Sequence, residues 1–226
     1  MPSKIPSPLR IFHITGIPNL DSIFAEGSLE AKNRLASKGV GYSNIAYQTV
    51  QNIRAQKPIR VGPGGMMHDY VPFYFAPRSP MLYAINQGAV AGCSLRQEDV
   101  VHFETTVENI LANGSNFVFF DMNAAIGLSK CFDSLIDLDK IAWDLITEEP
   151  TLDGFCRYFH SKHSPPRYAT RMEQRQAEFM VHQSVSLSCI TRIGVFDDNR
   201  KIAVENFLRQ HSLHMLVEVK KQDWYF

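Results

Sequence analysis

Residues 171–181 read Arg171-Met-Glu-Gln-Arg-Gln-Ala-Glu178-Phe-Met-Val181. An approach dense in Arg and Gln gives way to an apolar run, Phe179, Met180 and Val181, which has the composition of a strand. Glu178 is thereby set as a single carboxylate at a strand edge, where it is suited to grip a sugar hydroxyl or a developing cation. A lone strand carboxylate is more often a solvated surface group, so its meaning rests on what the rest of the chain brings to it.

Immediately upstream, residues 149–170 are rich in Pro, His, Ser and aromatics and follow no period. A long irregular stretch inside a domain is usually functional or mobile. Downstream, strands are predicted over 177–185, 190–196 and 214–219, with a helix at 199–210 between the last two. Towards the N-terminus, residues 10–15 (RIFHIT) alternate as a short strand, Pro18 suits the first turn of a helix and Gly27 its end. Residues 45–56 carry no helix breaker and end at Lys57-Pro58, and the glycine-rich stretch 61–65 is a loop. Further strands are expected at 71–76, 100–107 and 117–120, and helices from Ser79-Pro80 to about Gln87 and over 139–148. Residues 1–9, with three prolines, read as a flexible arm. Strands and helices do not alternate regularly, which makes this an α+β chain and disfavours a doubly wound parallel sheet.

The 226 residues suffice for one domain with a sizeable core, and 45% hydrophobic with 20% charged residues is ordinary for a globular protein. Lys plus Arg (23) equals Asp plus Glu (23), so net charge announces no nucleic-acid binder, although a local basic stripe would suffice. Four scattered Cys without a CxxC pair argue against a structural zinc site or a disulfide framework. The N-terminus lacks the apolar core of a signal peptide and no run reaches membrane-spanning length, so a cytoplasmic protein is expected.

Individual residues give weaker signals. His13 lies in an apolar strand and by periodicity alone is a core histidine. The Gly62-Pro-Gly-Gly65 loop has neither the Walker nor the Rossmann spacing, so a flexible surface loop explains it better than a phosphate cradle. Arg54 reads by default as a solvated helix charge. Arg78, where a strand runs into a Ser-Pro helix start, suits either pinning a loop or binding an anion. GxSxG and HExxH motifs are both missing from the sequence.

Taken together, three ordered blocks say more. Phe12-His-Ile-Thr15 with Pro18-Asn-Leu20 and Gly27, His68-Asp-Tyr-Val-Pro-Phe-Tyr-Phe75 with Pro77-Arg-Ser-Pro-Met-Leu-Tyr83, and Gln176-Ala-Glu-Phe-Met-Val181 resemble the DarT family, as does the ending Lys221-Gln-Asp-Trp-Tyr225. That resemblance runs from about residue 11 to the C-terminus. It implies an ADP-ribosyltransferase fold over residues 10–226, with split central β-sheets flanked by helices. It also implies a toxin that transfers ADP-ribose from NAD⁺ to bases of single-stranded DNA and is countered by a macrodomain antitoxin, DarG.

Carried over by position, the resemblance makes Arg54 and Glu178 catalytic, and has His13, Ile14 and Thr15, with Ser22, Glu30 and Arg54, hold NAD⁺. Residues 149–176 become a substrate-recognition loop. Its Arg157, Tyr158, His160, Lys162 and Arg167, together with Arg78, are the expected DNA contacts, because interleaved rings and cations suit a single strand. Thymine is the expected target. Guanine, or an idle NAD⁺- or nucleic-acid-binding module, is the alternative. A monomer without metal is expected.

Overall fold

The computed structural model describes residues 5–147 and 170–226. The strand announced by Phe179-Met-Val181 is there, as Ala177–His182, one of ten strands that form two sheets among the described residues. In chain order the strands are β1 Arg10–Gly16, β2 Ser28–Glu30, β3 Tyr70–Tyr74, β4 Val100–Thr106, β5 Phe117–Asn123, β6 Cys131–Phe132, β7 Ala177–His182, β8 Ser184–Ser186, β9 Arg192–Val195 and β10 Val217–Val219. The large sheet runs β10-β9-β4-β1-β3-β7-β5-β6, and β2 pairs with β8 in the small one. The helices are α1 Leu20–Glu26, α2 Lys32–Lys38, α3 Gln48–Gln56, α4 Pro80–Asn86, α5 Val107–Ala112, α6 Trp143–Thr147, α7 Arg171–Gln174, α8 Asp198–Gln210 and α9 Lys221–Trp224.

The large sheet is split at its middle. β1 is in register with β4 from Arg10↔Thr106 to Gly16↔Val100, and β3 with β7 from Tyr70↔His182 to Tyr74↔Glu178, but β1 meets β3 only at Phe12↔Tyr74. Pro72 helps to explain the gap. In a strand a residue's N–H and C=O point to the same side, and the Pro72 carbonyl accepts from His13 on the β1 side. The N–H that proline lacks therefore falls on the open side and costs the β3–β7 ladder nothing.

Alternation sorts the side chains. Ala177, Phe179 and Val181 of β7 enter the main core with Ile11, Phe73 and Phe103, whereas Met180 packs on the opposite face with Tyr70 and Phe120. Glu178 shares the Met180 face. A second core, Phe12, Ile14, Leu82, Ile85, Trp224 and Tyr225, closes the other side of β1. There the Tyr225 hydroxyl donates to the carbonyls of Val100 and Gly194, at 2.8 and 3.1 Å.

Local chemistry explains most boundaries and the departures from expectation. Gly27 ends α1 at φ 68°, and the Ser79 hydroxyl accepts from Leu82 N–H to cap α4 behind Pro80. The single strand expected over 177–185 breaks at Gln183, φ 67°, and β8 leaves for the small sheet. The helix expected over 139–148 is a 3₁₀ segment, Leu135–Lys140, followed by the short α6, because the indole N–H of Trp143 donates back to the Leu138 carbonyl. The Gly62–Gly65 loop is held by two hydrogen bonds: Tyr70 Oη donates to Gly64 O at 2.7 Å and Gly62 N–H to Asp133 at 2.8 Å. Leu9, at the end of the predicted arm, is buried, and its N–H donates to the Glu108 carboxylate.

Candidate active site

Where the two halves of the sheet part, β1, β3, β7, α1, α3 and α4 enclose a cavity of about 630 Å³. His13, Ile14, Thr15, Ser22, Glu30, Arg54 and Glu178 all line it. Residues that the sequence scatters from position 13 to position 178 thus meet in one place.

Arg54 does not face solvent. Its Nη1 donates to both oxygens of Glu178, at 3.0 and 2.9 Å, and the two side chains are 11% and 4% exposed. The solvated reading of Arg54 fails because α3 turns this face inward: Tyr47, Val50, Gln51 and Arg54, at helical spacing, all line the cavity, while Ile53 is half exposed on the other side. Glu178 Oε1 also accepts the Ala124 N–H at 3.3 Å. The carboxylate is therefore fixed from two directions and kept from bulk water.

His13 donates from Nδ1 to the Pro72 carbonyl at 2.8 Å across the split. Burial lowers its pKa more than this bond raises it, so the ring is neutral and its Nε2 is an acceptor. Thr15 Oγ1 accepts from Asn19, whose amide also exchanges hydrogen bonds with the Ser43 backbone and so pins the 43–47 segment to the cavity. Ser22 donates to Asn19 O. Burial raises the Glu30 pKa, but hydrogen bonds from Ser28, Lys38 and Arg34 outweigh it and the net shift is downward. Both Glu30 oxygens are already engaged by protein donors.

Several other residues that line the cavity are given no individual role by the sequence. Gln51 Oε1 accepts from Lys32 Nζ at 3.0 Å and from His68 Nε2 at 3.2 Å. Burial, with Lys32 and Arg54 nearby, pushes the His68 pKa down to about 4, so this ring is also neutral. Tyr74, Asn123 and Gln176 complete the wall around Glu178, and burial raises the Tyr74 pKa. The spacing of Gln51 from Arg54, three residues along one helix, is the signal that would have found it.

Arg78 donates to the carbonyls of Tyr225 and Gln222 and so pins the C-terminal segment, and it does not line the cavity. Arg157, Tyr158, His160, Lys162 and Arg167 lie outside the described residues. Among the described residues, no group of three or more His, Cys, Asp or Glu is placed to hold a metal ion, and no helix is long and apolar enough to cross a membrane.

Known proteins resemble this chain in sequence and in fold. A family model described as ssDNA thymidine ADP-ribosyltransferase, DarT, matches residues 12–226. A DNA ADP-ribosyl transferase of Thermus sp. (strain 2.9) is 33% identical over 228 residues, spanning 100% of both chains. Another from Escherichia coli O127:H6 (strain E2348/69 / EPEC) is 30% identical over 217 residues, 96% of this chain and 92% of the relative. The structure of Thermus sp. 2.9 DarT in complex with ADP-ribosylated ssDNA matches with a TM-score of 0.85 at 31% identity, covering 100% of both chains. The same enzyme in complex with NAD⁺ matches at 0.80 and 30%, covering 99% of this chain and 100% of the other. The chain belongs to the DarT family of single-stranded-DNA thymidine ADP-ribosyltransferases.

Proposed function

We propose that Arg54 and Glu178 form the catalytic centre with which this chain transfers ADP-ribose from NAD⁺ to thymine in single-stranded DNA. The observation that carries the reading is the Arg54–Glu178 pair, buried at the inner wall of a cavity of about 630 Å³. A space of this size suits a dinucleotide, and its wall mixes apolar surface with neutral acceptors and a few cations. NAD⁺ supplies a glycosidic bond whose leaving group, nicotinamide, departs neutral.

Glu178 accepts from a ribose hydroxyl and stabilises the positive charge that develops on the sugar as that bond breaks. His13 Nε2 and the β1 backbone at Ile14 and Thr15 orient the nicotinamide end, and Ser22 and Glu30 shape the adjoining wall. Arg54 has two tasks. It fixes the Glu178 carboxylate, and its remaining guanidinium N–H groups stabilise the negative charge on thymine as the ring nitrogen gives its proton to solvent water and bonds to the ribose carbon that nicotinamide leaves. A guanidinium does not give up its own proton at neutral pH, so Arg54 acts electrostatically and not as a conventional base. An unpaired thymine reaches the cavity without the cost of leaving a duplex.

Arg78, Arg157, Tyr158, His160, Lys162 and Arg167 are the proposed DNA contacts, with rings stacking on bases and cations following phosphates. On this reading the chain is a cytoplasmic, monomeric toxin opposed by a DarG-type macrodomain antitoxin. Incubation with NAD⁺ and oligonucleotides that differ only in one unpaired base, followed by mass spectrometry, tests it. An adduct on thymine alone supports the reading. An adduct on guanine alone, or NAD⁺ binding without nicotinamide release, overturns it.

A further inference from the structure

Lys57 follows α3 directly, and the sequence marks it only as the place where that helix ends. Its backbone remains tied to the catalytic helix: its N–H donates to Arg54 O at 3.4 Å, and its carbonyl accepts from Met67 N–H at 3.0 Å. The side chain reaches away from α3 into the loop after β5. There Nζ donates to the carbonyls of Ala124 and Ile126, the latter at 2.8 Å, and to Ser129 Oγ at 2.9 Å. An ammonium has three protons, and these are three acceptors. The cation also lies 5.2 Å from the centre of the Phe120 ring.

The loop it grips is the one that orients Glu178. Ala124, whose carbonyl accepts from Lys57, donates its own N–H to Glu178 Oε1. Asn123, next to it, donates to Gln176 Oε1, two residues before Glu178. Lys57 is not one of the residues that line the cavity. Burial lowers its pKa, so the charge is held there at some cost in desolvation.

We propose that Lys57 is a positioning residue: it braces the end of the helix carrying Arg54 against the loop whose backbone N–H holds Glu178, and thereby sets the geometry of the catalytic pair. This inference rests on the proposed catalytic role of that pair. A misplacement of about 1 Å at a reacting centre is enough to cost up to a hundredfold in rate. An ammonium satisfied by three fixed acceptors is a means of preventing it.

The test is steady-state kinetics of the full chain on a thymidine oligonucleotide with NAD⁺, for the wild type, Lys57→Met, Lys57→Arg and Ser129→Ala. Lys57→Met keeps the stem over Phe120 and removes the ammonium. It is expected to lower kcat about tenfold or more, with KM for NAD⁺ and oligonucleotide within about twofold of wild type. Lys57→Arg restores most of kcat, and Ser129→Ala, which removes one acceptor, lowers it a few-fold. If Lys57→Met does not fold, Lys57→Arg and Ser129→Ala carry the test, and a wild-type kcat in Ser129→Ala together with no activity in Lys57→Arg overturns the proposal. A wild-type kcat in folded Lys57→Met, or a loss confined to KM, overturns it as well. An inactive wild type instead overturns the catalytic reading beneath it.

Discussion

Arg54 and Glu178 lie 124 residues apart in sequence and share two hydrogen bonds through one guanidinium nitrogen, at the seam where β1 and β3 part. Removing one member of such a buried pair strands the other. Arg54→Ala should therefore abolish transfer and also destabilise the fold by about 3 kcal/mol, the low end for a broken buried pair because a cavity adjoins it. Arg54→Lys keeps a charge beside Glu178 but lacks the planar fork. It should regain most of the stability and little of the activity, as measured by urea unfolding alongside turnover.

Neutral histidines give the fold a defined acid limb. Burial lowers the pKa of His13, and His68 and His102 are each pushed down to about 4. A histidine whose folded pKa lies below its unfolded value of about 6.5 stabilises the protein in full above that value. The contribution is lost as pH falls from about 6.5 towards 4, because the unfolded chain takes up the proton first. Each such group adds up to about 1.4 kcal/mol per pH unit to the slope. His68→Gln, which keeps a donor for Gln51, should flatten the fall of unfolding free energy between pH 6.5 and pH 4. An unchanged slope would contradict the assignment.

The C-terminal segment leaves no room behind β9. A Cβ on Gly194 would fall 2.0 Å from the Trp224 ring, in the core that backs β1. Gly194→Ala should cost about 1–3 kcal/mol through overpacking. Because Phe12 and Ile14 share that core, the variant should also weaken NAD⁺ binding, which calorimetry reads directly.

The proposed DNA contacts predict a clean separation of substrates. Tyr158→Ala, if it removes a stacking ring, should raise the oligonucleotide KM about tenfold while leaving NAD⁺ affinity unchanged, since one base stack is worth about 1–3 kcal/mol. Arg157→Ala should in addition reduce the salt dependence of oligonucleotide binding. Equal losses for both substrates would place these residues in another role.

What the sequence discloses and what it hides follow from the range of each interaction. β7, β4 and α8 are marked by local composition, and Gly27 and Ser79 by the chemistry of helix ends, so these elements fall within a few residues of expectation. The split between β1 and β3 is bridged by a bond from His13 to Pro72, 59 residues away, which no local pattern records. Arg54 illustrates the same limit. Its helix is legible, but the inward turn of its face is set by Glu178 and by the packing of α3, and only the family resemblance singles it out. Gln51, His68 and Lys57 were missed because their partners are assembled by the fold. Arg78, whose setting before a Ser-Pro helix start suits either an anion site or a pin, holds the carbonyls of Tyr225 and Gln222, partners that no local pattern records.

The most direct measurement is mass spectrometry of a thymidine-containing single-stranded oligonucleotide after incubation with NAD⁺ and either the wild-type chain or folded Glu178→Ala. One ADP-ribose on thymine with the wild type, and none with Glu178→Ala, is the predicted result. The same adduct yield from both proteins, or no adduct on any oligonucleotide with the wild type, would contradict the account.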